Sequence, residues 1–179
     1  MPTPLTTTRT HIRRLTLGDL DALRELESDA LVMAPTGYRR VQSLEETQGR
    51  LERTVAEAQE TEPYGIWGAW ERQGAGAMVA WVMLVEREAM SPELGFMIPR
   101  RAWGQGFATE VAGRIVAHAF EDLELDVLSA MTDTDNAASQ RVLRKLGFEK
   151  VPDPDEEPGR RIFRLDRGEG SPPLLSREV

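Results

Sequence analysis

The stretch RRAWGQGFATEVAGR, residues 100–114, sets Gly104 and Gly106 two apart between Trp103 and Phe107 and then runs into a helical repeat. Glycine weakens a helix by about 1 kcal/mol relative to alanine, so bare backbone at this point serves another purpose. A tight turn, a close-packed strand, or a ligand lying against exposed N–H groups would each ask for it. Downstream, apolar residues pair every four positions, as Phe107/Ala108, Val111/Ala112, Ile115/Val116 and Ala119/Phe120. That spacing predicts a helix with one broad buried face. Upstream, PELGFMI (92–98) predicts a strand ended by Pro99.

Two phosphate motifs do not fit. A dinucleotide fingerprint wants a small residue where Thr109 stands, and a P-loop wants a lysine that is absent. The surroundings nonetheless favour an anion. Arg100 and Arg101 precede the glycines, Thr109 offers a hydroxyl, and the N–H groups opening the helix sit at the positive end of its dipole. Each such contribution is worth only about 0.3–1 kcal/mol when exposed, so several must converge. The competing reading is a structural turn beside solvated arginines.

Bulk properties narrow the classes. A chain of 179 residues with 40% hydrophobic and 29% charged residues is expected to be a single domain, 1–179, with a sizeable core. A net charge of −8 argues against a nucleic-acid partner. No apolar run spans a bilayer and the N-terminus lacks a signal-peptide core, so the expectation is a cytoplasmic protein with no membrane partner. With no cysteine and only His11 and His118, no metal site is expected.

Along the chain, HIRRLTL (11–17) reads as a strand and GDLDALREL (18–26) as a helix. Residues 28–43 read as loop with a possible short helix, and 44–60 as a polar helix. YGIWGAWE (64–71) and GAMVAWVMLVE (76–86) flank a glycine-containing hairpin connection. DVLSAMT (126–132), apolar on both faces, reads as a central strand. NAASQRVLRKL (136–146) reads as a helix with Gly147 at C′, where Leu143 can pack on Phe148. FEKV and RRIFRL are strands around the acidic loop PDPDEEPG, and residues 168–179 read as a flexible tail. Short turns imply antiparallel pairs, and the strand–helix–strand unit 92–132 implies a parallel pair at the centre.

The loop now resembles the pyrophosphate-binding loop of the GNAT superfamily of N-acetyltransferases, whose pattern is Arg/Gln-x-x-Gly-x-Gly/Ala. Here it is Arg101-Ala102-Trp103-Gly104-Gln105-Gly106. DNAASQRVLRKLGF (135–148) resembles the family's asparagine-led helix and its Lys-x-Gly-Phe ending. ELGFMIPRRAWGQGFATE resembles the RimJ/RimL-like subgroup, which acetylates protein N-termini. The resemblance implies an α+β fold of layered αβα type. Its mixed, mostly antiparallel sheet would have about seven strands, splayed at the centre and flanked by helices.

The resemblance further implies acetyl-CoA as co-substrate, an amine acceptor (a protein N-terminus or a small molecule), and either a monomer or a homodimer. Backbone groups of Phe96, Met97 and Ile98 would hold the pantetheine arm. The N–H groups of Trp103, Gly104, Gln105, Gly106, Phe107 and Ala108, with Arg101 and Thr109, would hold the diphosphate. Asn136 would contact the pantetheine side and Ser139 would lie near the sulfur. Glu93, sharing a strand face with Gly95 and Met97, is the candidate base. Many relatives carry a tyrosine acid where this chain has Leu143, so Ser139 is the substitute. Tyr38 and Arg39 are candidates for the acceptor pocket. A non-catalytic acyl-CoA-binding module is the competing function.

Overall fold

The apolar pairs after Gly106 build the helix that organises the molecule. In the computed structural model, which describes residues 5–58, 60–74, 76–87, 90–152 and 159–168, that helix is α4 (Phe107–Ala117). It follows α1 (Leu20–Glu27), α2 (Ala30–Met33) and α3 (Leu44–Ala56) and precedes α5 (Ala137–Lys145). The strands are β1 (Leu5–Thr6), β2 (Thr10–Arg14), β3 (Gly65–Glu71), β4 (Met78–Arg87), β5 (Met90–Met97), β6 (Val127–Asp133), β7 (Glu149–Val151) and β8 (Arg160–Asp166). They form one mixed sheet in the order β1-β2-β3-β4-β5-β6-β8-β7, in which only the β5–β6 pair is parallel.

The sheet has eight strands rather than about seven. The addition is β1, two residues that pair Leu5 with Ile12 and Thr6 with His11. A dipeptide in a threonine-rich stretch carries no alternation to read. The last hairpin is also threaded differently from a simple addition at the edge, because β8 lies between β6 and β7. Most of the acidic loop (153–158) and most of the tail (169–179) lie outside the described residues.

Alternation along β4 divides the core. Ala80, Val82 and Leu84 are fully buried with Val111, Ala112, Ile115 and Val116 of α4, and Leu94 joins them from β5. Trp81 packs on the opposite face, with Leu23 and Leu26 of α1, Leu51 of α3 and, from β5, Met97. α4 and α5 therefore share one face of the sheet with this larger core, while α1 to α3 cover the other.

Local signals set the helix ends. Ser43 and Glu46 form a reciprocal capping box at the start of α3. Asn136 Oδ1 accepts from the Ser139 N–H at 3.0 Å and caps α5. At the other end Gly147 is left-handed (φ 91), its N–H donates to the Arg144 carbonyl, and the Phe148 N–H donates to that of Leu143. Leu143 and Phe148 are both buried in the same core. This is the expected Schellman ending.

Candidate active site

β5 and β6 diverge where a parallel sheet would keep them paired. Their only register pair is Glu93 with Ser129, and the Ser129 hydroxyl donates to the Ser91 carbonyl at 2.8 Å, closing the junction. Beyond it β5 stays paired with β4 as far as Trp81–Met97, and β6 stays paired with β8 as far as Asp133–Arg160. Residues 94–97 and 130–133 therefore face each other with strand edges that have no partner strand. Alternate residues on such an edge present N–H and C=O groups to the gap, the arrangement an extended polar chain can enter as an added strand.

At the mouth of this gap the chain turns through a 3₁₀ segment, Arg100–Ala102, and the two glycines. Gly104 (φ +73) and Gly106 (φ +83) are both left-handed, a conformation that L residues avoid. A Cβ on Gly104 would meet no protein atom within 4 Å. The glycines are thus there for backbone direction as well as for space. Among the described residues the N–H groups of Gly104, Gln105, Gly106, Phe107, Ala108 and Thr109 meet no acceptor, and the Glu110 N–H is the first to close a helical bond, to Gly106. Four of these are the orphan donors of a helix start, and the turn adds two more. Gly104, Gln105 and Gly106 are exposed. A row of free N–H groups at a helix N-terminus has the chemistry to receive an anion.

Two expected contributors are committed elsewhere. The Trp103 N–H, assigned from the sequence to the diphosphate, donates to the Arg100 carbonyl at 3.2 Å, so the open row runs 104–109 rather than 103–108. The Trp103 indole caps the Ile98 carbonyl at 2.8 Å. The Arg101 guanidinium binds both oxygens of Glu25 (2.7 and 3.1 Å) and the Met78 carbonyl (2.7 Å), tying the turn to α1 and β4. Arg100 pairs with Asp29.

The cation brought to the loop is one the sequence pattern did not reveal. Arg9, just before β2, donates Nη1 to the Gln105 carbonyl at 3.0 Å and Nε to Glu110 at 2.6 Å, and its guanidinium lies 4.2 Å from the Phe107 ring centre. Thr7 Oγ1 and the Arg9 N–H also reach Glu110. Burial works to raise the Glu110 carboxyl, and the hydrogen bonds from Thr7 and Arg9 outweigh it, leaving the group below the ordinary carboxylate range.

Glu93 is buried on β5, and its Oε2 accepts from Arg87 Nε at 2.6 Å. Leu94 and Phe96 pack toward α4, whereas Met97 packs toward α1 and α3. Glu93, Gly95 and Met97 thus share the face that α1 to α3 cover, as the sequence suggests. Ser139 is half-buried on the first turn of α5, and its hydroxyl has no protein partner among the described residues. Leu143 is buried in the core and offers no proton. His118 is held by Asp122 at 2.8 Å, with Trp67 edge-on to it, and stays outside this constellation.

On the face covered by α1 to α3, Tyr38 lies beneath the Arg50 guanidinium, which pairs with the fully buried Glu27. Arg39, left-handed at φ 54, reaches Asp133 at the end of β6 at 3.3 Å. Residues 36–42 therefore link α1, where the Gln42 N–H donates to the Glu27 carbonyl, with the end of β6. Among the described residues no group of three or more His, Cys, Asp or Glu is placed to hold a metal ion, and no helix is long and apolar enough to cross a membrane.

Comparison with known proteins agrees with this geometry. Residues 9–149 match the acetyltransferase (GNAT) domain family. An uncharacterized N-acetyltransferase, YoaA, from Bacillus subtilis is 31% identical over 149 residues, 82% of each chain. A GNAT-family acetyltransferase from Bacillus anthracis superposes with a TM-score of 0.79 at 18% identity, covering 92% of this chain and 98% of that one. RimL, a ribosomal L7/L12 alpha-N-protein acetyltransferase solved with coenzyme A, superposes with a TM-score of 0.74 at 16% identity, covering 91% and 96%. The open row of N–H groups, the parted strands and the family match lead to one assignment: this chain belongs to the GNAT acetyltransferase family.

Proposed function

We propose that this acetyltransferase transfers the acetyl group of acetyl-CoA to a primary amine by direct attack, with the α-amine of a protein or peptide as the leading acceptor class. The observation that carries the cofactor side is the run of unpartnered N–H groups at 104–109 at the end of a strand with an open edge. The thioester supplies an activated acyl carbon and a leaving thiolate; the chain must position the amine, take its proton, stabilise an oxyanion and return a proton to sulfur.

The open edge at Phe96 and Met97 suits the pantetheine arm, whereas the Ile98 carbonyl, expected to share that task, is taken by the Trp103 indole; the Met97 N–H is the candidate oxyanion donor. The Asn136 amide nitrogen has no protein partner among the described residues, so it is free to meet the arm while Oδ1 caps α5. The Ser139 hydroxyl, likewise without a partner, is the candidate proton donor to the thiolate. Glu93 has one oxygen committed to Arg87 and one left for the amine or an intervening water.

An α-amine suits such a partly engaged base. With a pKa of about 7.7–8.0 it costs about 1 kcal/mol to deprotonate at pH 7, against about 4–5 kcal/mol for a lysine side chain at about 10.4. Mass spectrometry of a panel of peptides, lysine-bearing peptides and small amines with acetyl-CoA tests the reading. Acetylation of peptide α-amines is expected, and a product confined to lysine side chains would refute the acceptor assignment.

A further inference from the structure

The Arg9 cluster does more than join the N-terminus to α4. Its guanidinium touches three parts of the turn at once: the Gln105 carbonyl, the Glu110 carboxylate and the Phe107 ring. A trans peptide directs its C=O and the next N–H to opposite sides. Pulling the Gln105 carbonyl toward Arg9 therefore turns the Gly106 N–H away from Arg9. The guanidinium also lies against Gly106, where an added Cβ would come 3.6 Å from Nη2. Glu110 in turn fixes Arg9. Its carboxylate is largely buried, with 11% of the side chain exposed, and is held by Thr7, the Arg9 N–H and the Arg9 side chain together.

We propose that Arg9 is a positioning residue for the diphosphate: through the Gln105 carbonyl it aims the loop N–H groups, and Glu110 and Thr7 hold it in that pose. The inference rests on the acetyl-CoA reading above. It assigns a binding role to a residue 96 positions from the carbonyl it holds. A lysine in its place can bond to Gln105 or Glu110 but cannot span both with a planar fork. The effect is confined to the half of the ligand that carries phosphate, because among the described residues the Arg9 side chain contacts Gln105, Phe107 and Glu110 and neither β5 nor α5.

The test is titration calorimetry of the full chain with coenzyme A and, separately, with pantetheine, which lacks the diphosphate, on wild type, Arg9→Lys, Arg9→Ala and Glu110→Gln. Each protein's melting temperature is measured alongside. The expected result is a coenzyme A Kd raised about tenfold or more in Arg9→Ala, from one lost charge-assisted hydrogen bond and its realigned neighbours. Arg9→Lys and Glu110→Gln should fall between it and wild type. Pantetheine binding should be the same in all four proteins, including when it is too weak to detect in all four. An unchanged coenzyme A Kd in Arg9→Ala, or an equal loss for pantetheine, overturns the inference. If Arg9→Ala does not fold, Arg9→Lys and Glu110→Gln decide by the same criterion. Failure of wild type to bind coenzyme A would instead overturn the cofactor reading itself.

Discussion

Replacing Gly104 by alanine separates the two reasons a glycine can occupy that turn. The residue is left-handed at φ +73, and a Cβ there would meet nothing within 4 Å, so the substitution introduces no collision. What it introduces is the penalty of a left-handed L residue, about 1–2 kcal/mol. If the backbone holds its conformation, that cost is paid in stability alone, and a chain of this size loses about 2–4 °C of melting temperature per kcal/mol. If the backbone relaxes to negative φ, the Gly104 and Gln105 N–H groups rotate out of the row. Each hydrogen bond to a charged phosphate is worth about 1.5–3 kcal/mol, so one lost bond raises the coenzyme A Kd about 10- to 150-fold. Asparagine tolerates the left-handed region better than alanine, so affinity is expected to rank Gly104, then Asn, then Ala. Calorimetry with coenzyme A, beside a thermal melt of each variant, reads both quantities. A Gly104→Ala protein with wild-type melting temperature and wild-type Kd would refute the argument that this turn is shaped for the ligand.

Further outcomes follow from other parts of the molecule. Ser139→Ala and Glu93→Gln are each expected to lower kcat about 100-fold or more if they carry the acid and base roles, with coenzyme A affinity unchanged; steady-state kinetics with a responsive acceptor checks this, and unchanged kcat in both would refute the assignment. Asp19 is bound by Arg13 at 2.8 Å through both oxygens and by Thr16. Burial works to raise its carboxyl, and these bonds outweigh it and hold it below the usual range. The unfolded chain then binds the proton first, so this contribution is present above about pH 4 and is lost on further acidification. Asp19→Asn should therefore be less stable at neutral pH and show a shallower acid loss in urea titrations. Glu27→Ala leaves Arg50 without its buried partner and is expected to cost about 3–5 kcal/mol. Chemical denaturation measures it, and a loss under 1 kcal/mol would show that the pair does not anchor the Tyr38 loop.

The sequence is most legible where consecutive residues carry the geometry. The glycine turn, the paired apolar rows of α4 and the Schellman ending at Gly147 are all local, and the structure has each of them. Alternation also placed Glu93 and Met97 on one face correctly. What was not legible depends on contacts across the chain. Arg101 looks like a phosphate ligand beside the glycines, yet Glu25 on α1 and the Met78 carbonyl on β4 take its donors. Arg9 looks like one of several scattered N-terminal arginines, and only the packing of β1 against α4 brings the β1–β2 turn, and Arg9 with it, to Gln105. The Trp103 N–H is lost to a 3₁₀ turn that Pro99 and two arginines do not announce. β1 is too short for any period, and the place of β8 between β6 and β7 is a choice of pairing that two adjacent strands leave open.

The most direct test of the account is an amide-resolved NMR titration of the ¹⁵N-labelled chain with coenzyme A. The account predicts that the N–H signals of residues 104–109 undergo the largest shifts and exchange more slowly with solvent once ligand is bound, while that of Trp103, already bonded to Arg100, moves less. Saturable binding that leaves the 104–109 signals in place would contradict it.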